Sequence, residues 1–111
     1  MPKSSTGTAL WPAAKAATKA ASAEDCQQLR QIPNVGPAMV KDFGLLGIRT
    51  PDDLVGADAF ALYQRLCTLT MQRHDPCVLD TFMAAVDFMN GAAPRDWWRY
   101  TPQRKAQYPG I

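Results

Sequence analysis

Apolar residues recur at helical spacing in several separate stretches of this chain, and nowhere is a period-two alternation sustained. In Pro37–Leu46, the residues Met39, Val40, Phe43 and Leu46 share one helical face, and Gly47 follows as a stop. A first helix is expected from Ser22, where S-A-E-D reads as an N-cap with an acid three residues on. Cys26 and Leu29 supply its stripe, and Ile32-Pro33 ends it, because a residue before proline disfavours the helical region. Thr50-Pro51-Asp52-Asp53 repeats the start signal for a short helix ending at Gly56. Asp58 caps a fourth, with Phe60, Tyr63, Leu66 and Cys67 on one side. Asp75-Pro76 caps a fifth and longer one carrying Leu79, Phe82, Met83, Val86 and Met89, closed by Gly91 and Pro94. The pattern predicts an all-α domain of five helices over residues 22–94.

Outside that body the pattern changes. Residues 1–21 are rich in Ala, Ser, Thr and Lys, with Trp11-Pro12 as the only bulky feature, so a flexible, disordered tail is expected. Residues 95–111 interleave Trp97, Trp98 and Tyr100 with Arg95, Arg99, Arg104 and Lys105. This segment is expected to pack partly on the body, with at least one indole covering it and the cations left outward. An exposed arrangement would instead let the rings stack on bases.

Charge sharpens the division. Lys3, Lys15 and Lys19 make the first segment +3, and the last segment is also +3, whereas the body from Ala23 to Pro94 sets nine acids against five bases, a net of −4. A polyanion should therefore feel the two basic ends first, and a basic protein partner would suit the body. No stretch has the roughly 20 apolar residues that a membrane span needs, and no secretory signal is apparent. Three cysteines without close spacing read as reduced thiols, so a cytoplasmic protein is expected.

Between the first two expected helices lies Ile32-Pro33-Asn34-Val35-Gly36-Pro37. Gly36 sits where a helix begins, so the amides of Gly36, Ala38 and Met39 have no intrahelical acceptor and face the positive end of the helix dipole. Such a cradle suits a phosphate, while Pro37 has no N–H to donate. A tight turn between two helices also accounts for Gly36. No metal is expected: Cys67 and Cys77 lie on or beside apolar stripes, His74 falls in a loop, and no C-x-x-C pair exists. With one His and no phosphate loop of the Walker type, neither catalysis nor a cofactor is expected.

Leu29–Gly36, L-R-Q-I-P-N-V-G, followed by Pro37, resembles the helix-hairpin-helix motif of proteins that bind DNA without sequence preference. Leu45–Leu54, L-L-G-I-R-T-P-D-D-L, is similar to the segment that follows the hairpin in such domains. The Asp75–Met89 stretch and the P-R-D-W-W-R-Y block from Pro94 extend the likeness. They resemble a small bacterial family of the pathogenicity-locus or mitomycin-resistance type, with a looser resemblance to the C-terminal domain of the competence regulator TfoX. The resemblance covers roughly Gln27 to Tyr108 and implies a helix-hairpin-helix (SAM-like) fold and backbone contacts to DNA. The expected contact residues are Val35, Gly36, Ala38, Met39 and Lys41 in the hairpin, joined by Arg99. In the usual motif the first turn residue is Gly and a Lys follows Gly-Pro, whereas this chain has Asn34 and Ala38. Asn tolerates the left-handed region, so the turn survives, but a phosphate-binding cation is lost. A protein-interaction module or homodimer is the alternative.

Overall fold

The computed structural model describes residues 18–111. Within them the chain forms four α-helices, α1 (Pro37–Leu45), α2 (Ala59–Thr70), α3 (Pro76–Met89) and α4 (Thr101–Gln107). Four single 3-10 turns lie between or before them, at Ala23–Asp25, Leu29–Gln31, Pro51–Leu54 and Trp97–Tyr100, and no strand is present among the described residues. The all-α expectation holds, but the five expected helices do not all appear. Two of them are 3-10 turns, and α4 arises where no helix was expected.

The difference has a local cause. Cys26, Leu29 and Ile32, all buried, are spaced three apart, as are Pro51 and Leu54. A 3-10 turn, with three residues per turn, stacks such residues directly above one another, whereas an α-helix offsets each from the last by about 60°. Side chains reinforce the choice. The Gln31 Oε1 accepts from the backbone N–H of both Gln27 and Gln28 at 2.8 Å, which ends the first turn and restarts the second.

The expected caps are in place on the true α-helices. Asp58 accepts from the N–H of Phe60 (3.0 Å) and Ala61 (3.3 Å), and Asp75 from that of Cys77 (2.9 Å). Asp53 takes the N–H of Arg49 (2.9 Å) and Thr50 (3.1 Å), and these two bonds hold its carboxyl below the usual range. At its other end α1 closes with Gly47 in the left-handed region (φ 81°), where the Ile48 N–H reaches back to the Phe43 carbonyl at 2.9 Å. Ile48 is then turned into the core. The same closure on α2 uses Met71 (φ 55°), a side chain 91% exposed that contributes no packing in return.

α3 is the centre of the structure. Nine of its residues, including Leu79, Phe82, Ala85 and Phe88, are buried, so it is enclosed nearly all round instead of along one stripe. Phe82 stacks on Phe43 of α1 with ring centroids 5.1 Å apart, and this contact joins α1 to the core. Asp80, wholly buried on the same helix, accepts from Arg104 Nε (2.9 Å) and Thr101 Oγ1 (2.7 Å) of α4. Tyr100, 2% exposed, belongs to the same core, so the packing of residues 95–111 reaches the centre of the body. It is Tyr100 that covers the body. Of the two indoles, Trp97 is 36% exposed and so partly covered, whereas Trp98 is 52% exposed.

Residues 1–17 of the expected tail lie outside the described residues. From its last part, Ala20 is buried and donates its N–H to the Gln31 carbonyl at 2.8 Å. No helix of the described residues is long and apolar enough to cross a membrane.

Candidate nucleic-acid interface

The turn that delivers α1 is built from inside. Ile32 and Val35 are fully buried and anchor it, and the Val35 N–H bonds the Ile32 carbonyl at 3.1 Å. Asn34, between them, takes φ 73°, the left-handed conformation that the sequence substitution permits. Its side chain has a second use. Nδ2 donates to the Arg95 carbonyl at 2.7 Å, which ties the turn to the C-terminal segment 61 residues away.

Lys19 locks the same turn from the other side. Its ammonium donates to the carbonyls of Arg30 (2.7 Å), Ile32 (3.1 Å) and Val35 (2.6 Å), which uses all three of its N–H bonds. Burial lowers its pKa from the ordinary lysine value. A positive charge is therefore fixed on the residue immediately before Gly36. Nothing in the local sequence signals this contact, which spans 16 residues.

Gly36 is the N-cap of α1 with φ −104° and ψ −175°, extended backbone open to any residue. A Cβ built there meets nothing within 4 Å. The fold therefore does not require glycine at this position, since the left-handed residue of the turn is Asn34. Gly36 accepts from the Val40 N–H at 3.0 Å, as an N-cap should. The N–H groups of Gly36, Ala38 and Met39 have no acceptor among the described residues, and Gly36, Pro37 and Ala38 are exposed. Lys41, one turn on, is exposed and makes no ion pair among the described residues.

Of the six expected contact residues, the structure groups Gly36, Ala38, Met39 and Lys41 at one helix end. Val35 has nothing left to offer a ligand, because its side chain is buried and both its backbone groups are engaged. Arg99 lies on the C-terminal segment that Asn34 tethers. It borders, with Pro33, Asn34, Pro94, Arg95 and Asp96, a groove of about 330 Å³. Its guanidinium stacks on Trp98, 4.8 Å from the ring centroid, and the exposed Asp96 4.0 Å away adds little hold. Arg95 lies over Tyr100 at 4.7 Å. Sequence reasoning missed Lys19, and it placed the basic C-terminal cluster without placing it beside the turn.

The sulfur-bearing residues form no comparable centre. The backbone N–H of His74 faces Cys67 Sγ at 3.5 Å, its ring Nε2 meets Thr70 Oγ1 at 2.8 Å, and its carbonyl accepts from Tyr63. Among the described residues no three His, Cys, Asp or Glu side chains converge.

These features define an all-α protein that presents an open helix N-terminus beside an aromatic and basic flank. A family model described as Cdd1, pathogenicity locus, matches residues 22–106, and the chain belongs to that family. It is 39% identical over 89 residues to the mitomycin resistance protein McrB of Streptomyces lavendulae, a match covering 80% of this chain and 85% of that one. No solved structure gives a significant match.

Proposed function

We propose that this chain is a helix-hairpin-helix protein, with a 3-10 turn standing in for the first helix, that binds the DNA backbone weakly and without sequence preference. The observation that carries the reading is the open N-terminus of α1. There, a glycine that the fold does not need leaves three amides and their dipole accessible. Lys41 and the fixed charge of Lys19 make this end more positive than the −4 of the surrounding body implies. Contacts of this kind read phosphates and carry no base information. The relative's name supports a link to mitomycin tolerance, and a role at damaged DNA would connect that name to this surface.

Binding through about four phosphates predicts a log–log salt slope near −3 to −4 for duplex DNA, measured by fluorescence anisotropy. An affinity that does not change between low and moderate salt contradicts the reading. The second reading, a protein-interaction module, is favoured by the exposed Leu69 and Met71 at the end of α2. It predicts a protein partner, or self-association, without DNA affinity.

A further inference from the structure

We propose that Arg95 and Arg99 form a second phosphate site, in the groove between the Pro33-Asn34 turn and the Pro94–Arg99 segment. The two guanidiniums share one phosphodiester of the strand that also reaches the α1 amides. This rests on the DNA-binding reading above and adds a second point of contact with the same backbone.

Both cations are ordered before any ligand arrives. Arg95 lies over the Tyr100 ring, 4.7 Å from its centroid, and Arg99 over the Trp98 ring at 4.8 Å. The base beneath them is rigid. Tyr100 is fixed in the core, and the next residues are held to buried Asp80 through Thr101 at 2.7 Å and Arg104 at 2.9 Å. Stacking engages the face of a guanidinium and leaves its five N–H donors, which lie in the plane, for other partners. Among the described residues, the 4.0 Å approach of Arg99 to Asp96 is the only ion pair that either makes. A side chain ordered in advance loses less freedom when it binds. The half-exposed Trp98 thus has a use as the plane on which Arg99 is set.

Charge and position select the occupant. Both arginines line the groove, and Asp96 is the one acid on it, so two cations face a single carboxylate. That surplus of one positive charge matches the single negative charge of a phosphodiester. Guanidinium forks suit phosphate oxygens, which accept two N–H groups side by side. Asn34 joins this site to the first. Its Nδ2 holds the Arg95 carbonyl at 2.7 Å, and it precedes Gly36 by two residues, no more than about 7 Å of chain. Two anion sites so linked fit nearby phosphates of one strand.

The test measures duplex binding across salt concentrations for the full chain, Arg99→Gln and the double variant Arg95→Gln/Arg99→Gln. Glutamine stays polar and removes the charge, and both positions are exposed, so urea unfolding midpoints should match the parent's. Arg99→Gln alone keeps the test valid if uncovering the Tyr100 ring loosens the fold. The double variant should bind duplex about 10- to 100-fold more weakly. Its log–log salt slope should be shallower by about 1, because one phosphate contact is lost, and Arg99→Gln should change both in the same direction. A slope shallower by about 2 would give each arginine its own phosphate and overturn the shared site. Parent-like affinity and slope in both variants, with Gly36→Glu still weakening binding, overturns the inference and leaves the reading of α1 standing. Poly-glutamate binding by the parent but not by the double variant would then assign the groove to an acidic protein segment. Failure of the parent to bind duplex overturns both.

Discussion

Arg104→Ala should destabilise the protein by about 3–5 kcal/mol, the largest effect expected of any surface-reaching side chain here. Asp80 is wholly buried at the centre of α3, and among the described residues Arg104 is its only cationic partner, through Nε at 2.9 Å and Nη2 at 3.4 Å. The bond to Asp80 raises the Arg104 pKa above its ordinary value, so the guanidinium stays charged. Removing the guanidinium leaves a carboxylate in the core with one hydroxyl donor, Thr101. Hydrating that carboxylate requires opening the segment that carries α4. The double variant Asp80→Leu/Arg104→Met should recover most of the loss, because the cost lies in the unpaired charge and not in the absence of an ion pair. Urea unfolding midpoints measure both. A loss below about 1 kcal/mol for Arg104→Ala would mean that α4 is not pinned as described.

Gly36→Glu should weaken duplex binding by about 10- to 100-fold while leaving the fold intact. The extended φ accepts any residue and a Cβ there meets nothing within 4 Å, so stability should change by no more than about 1 kcal/mol. The carboxylate would occupy the space of a bound phosphate and compete for the same amides. Loss of one or two charge-assisted hydrogen bonds sets the size of the effect. Gly36→Ala keeps the site uncharged and separates steric from electrostatic loss. Parent-like affinity in Gly36→Glu would show that phosphates do not approach α1.

How far this was legible in the sequence depended on the range of the interaction. The caps Asp58 and Asp75 and the Gly47 closure act within a few residues, and each is readable from its own stretch. The core positions of α1 were readable for the same reason: Phe43 and Leu46 are buried as their spacing requires. Ser22–Gln31 was misread because cap and stripe signals are shared by α-helices and 3-10 turns. Its three-residue spacing and the bonds accepted by Gln31 decide between them. The contacts that shape the candidate site are long-range. Lys19 on the Val35 carbonyl, Asn34 on Arg95 and Arg104 on Asp80 pair residues 16, 61 and 24 positions apart. No local pattern encodes them. A chain cut to residues 23–94 loses Lys19, Tyr100 and Arg104 together, so it would unfold the body instead of isolating it.

The N–H groups of Gly36, Ala38 and Met39 are the proposed phosphate contacts, and amide chemical shifts recorded during titration with a short duplex observe them directly. These three amides and Lys41 should shift most, saturably and less at higher salt, with core residues such as Phe82 unmoved. Shifts confined to other parts of the chain, with the α1 N-terminus silent, would contradict it.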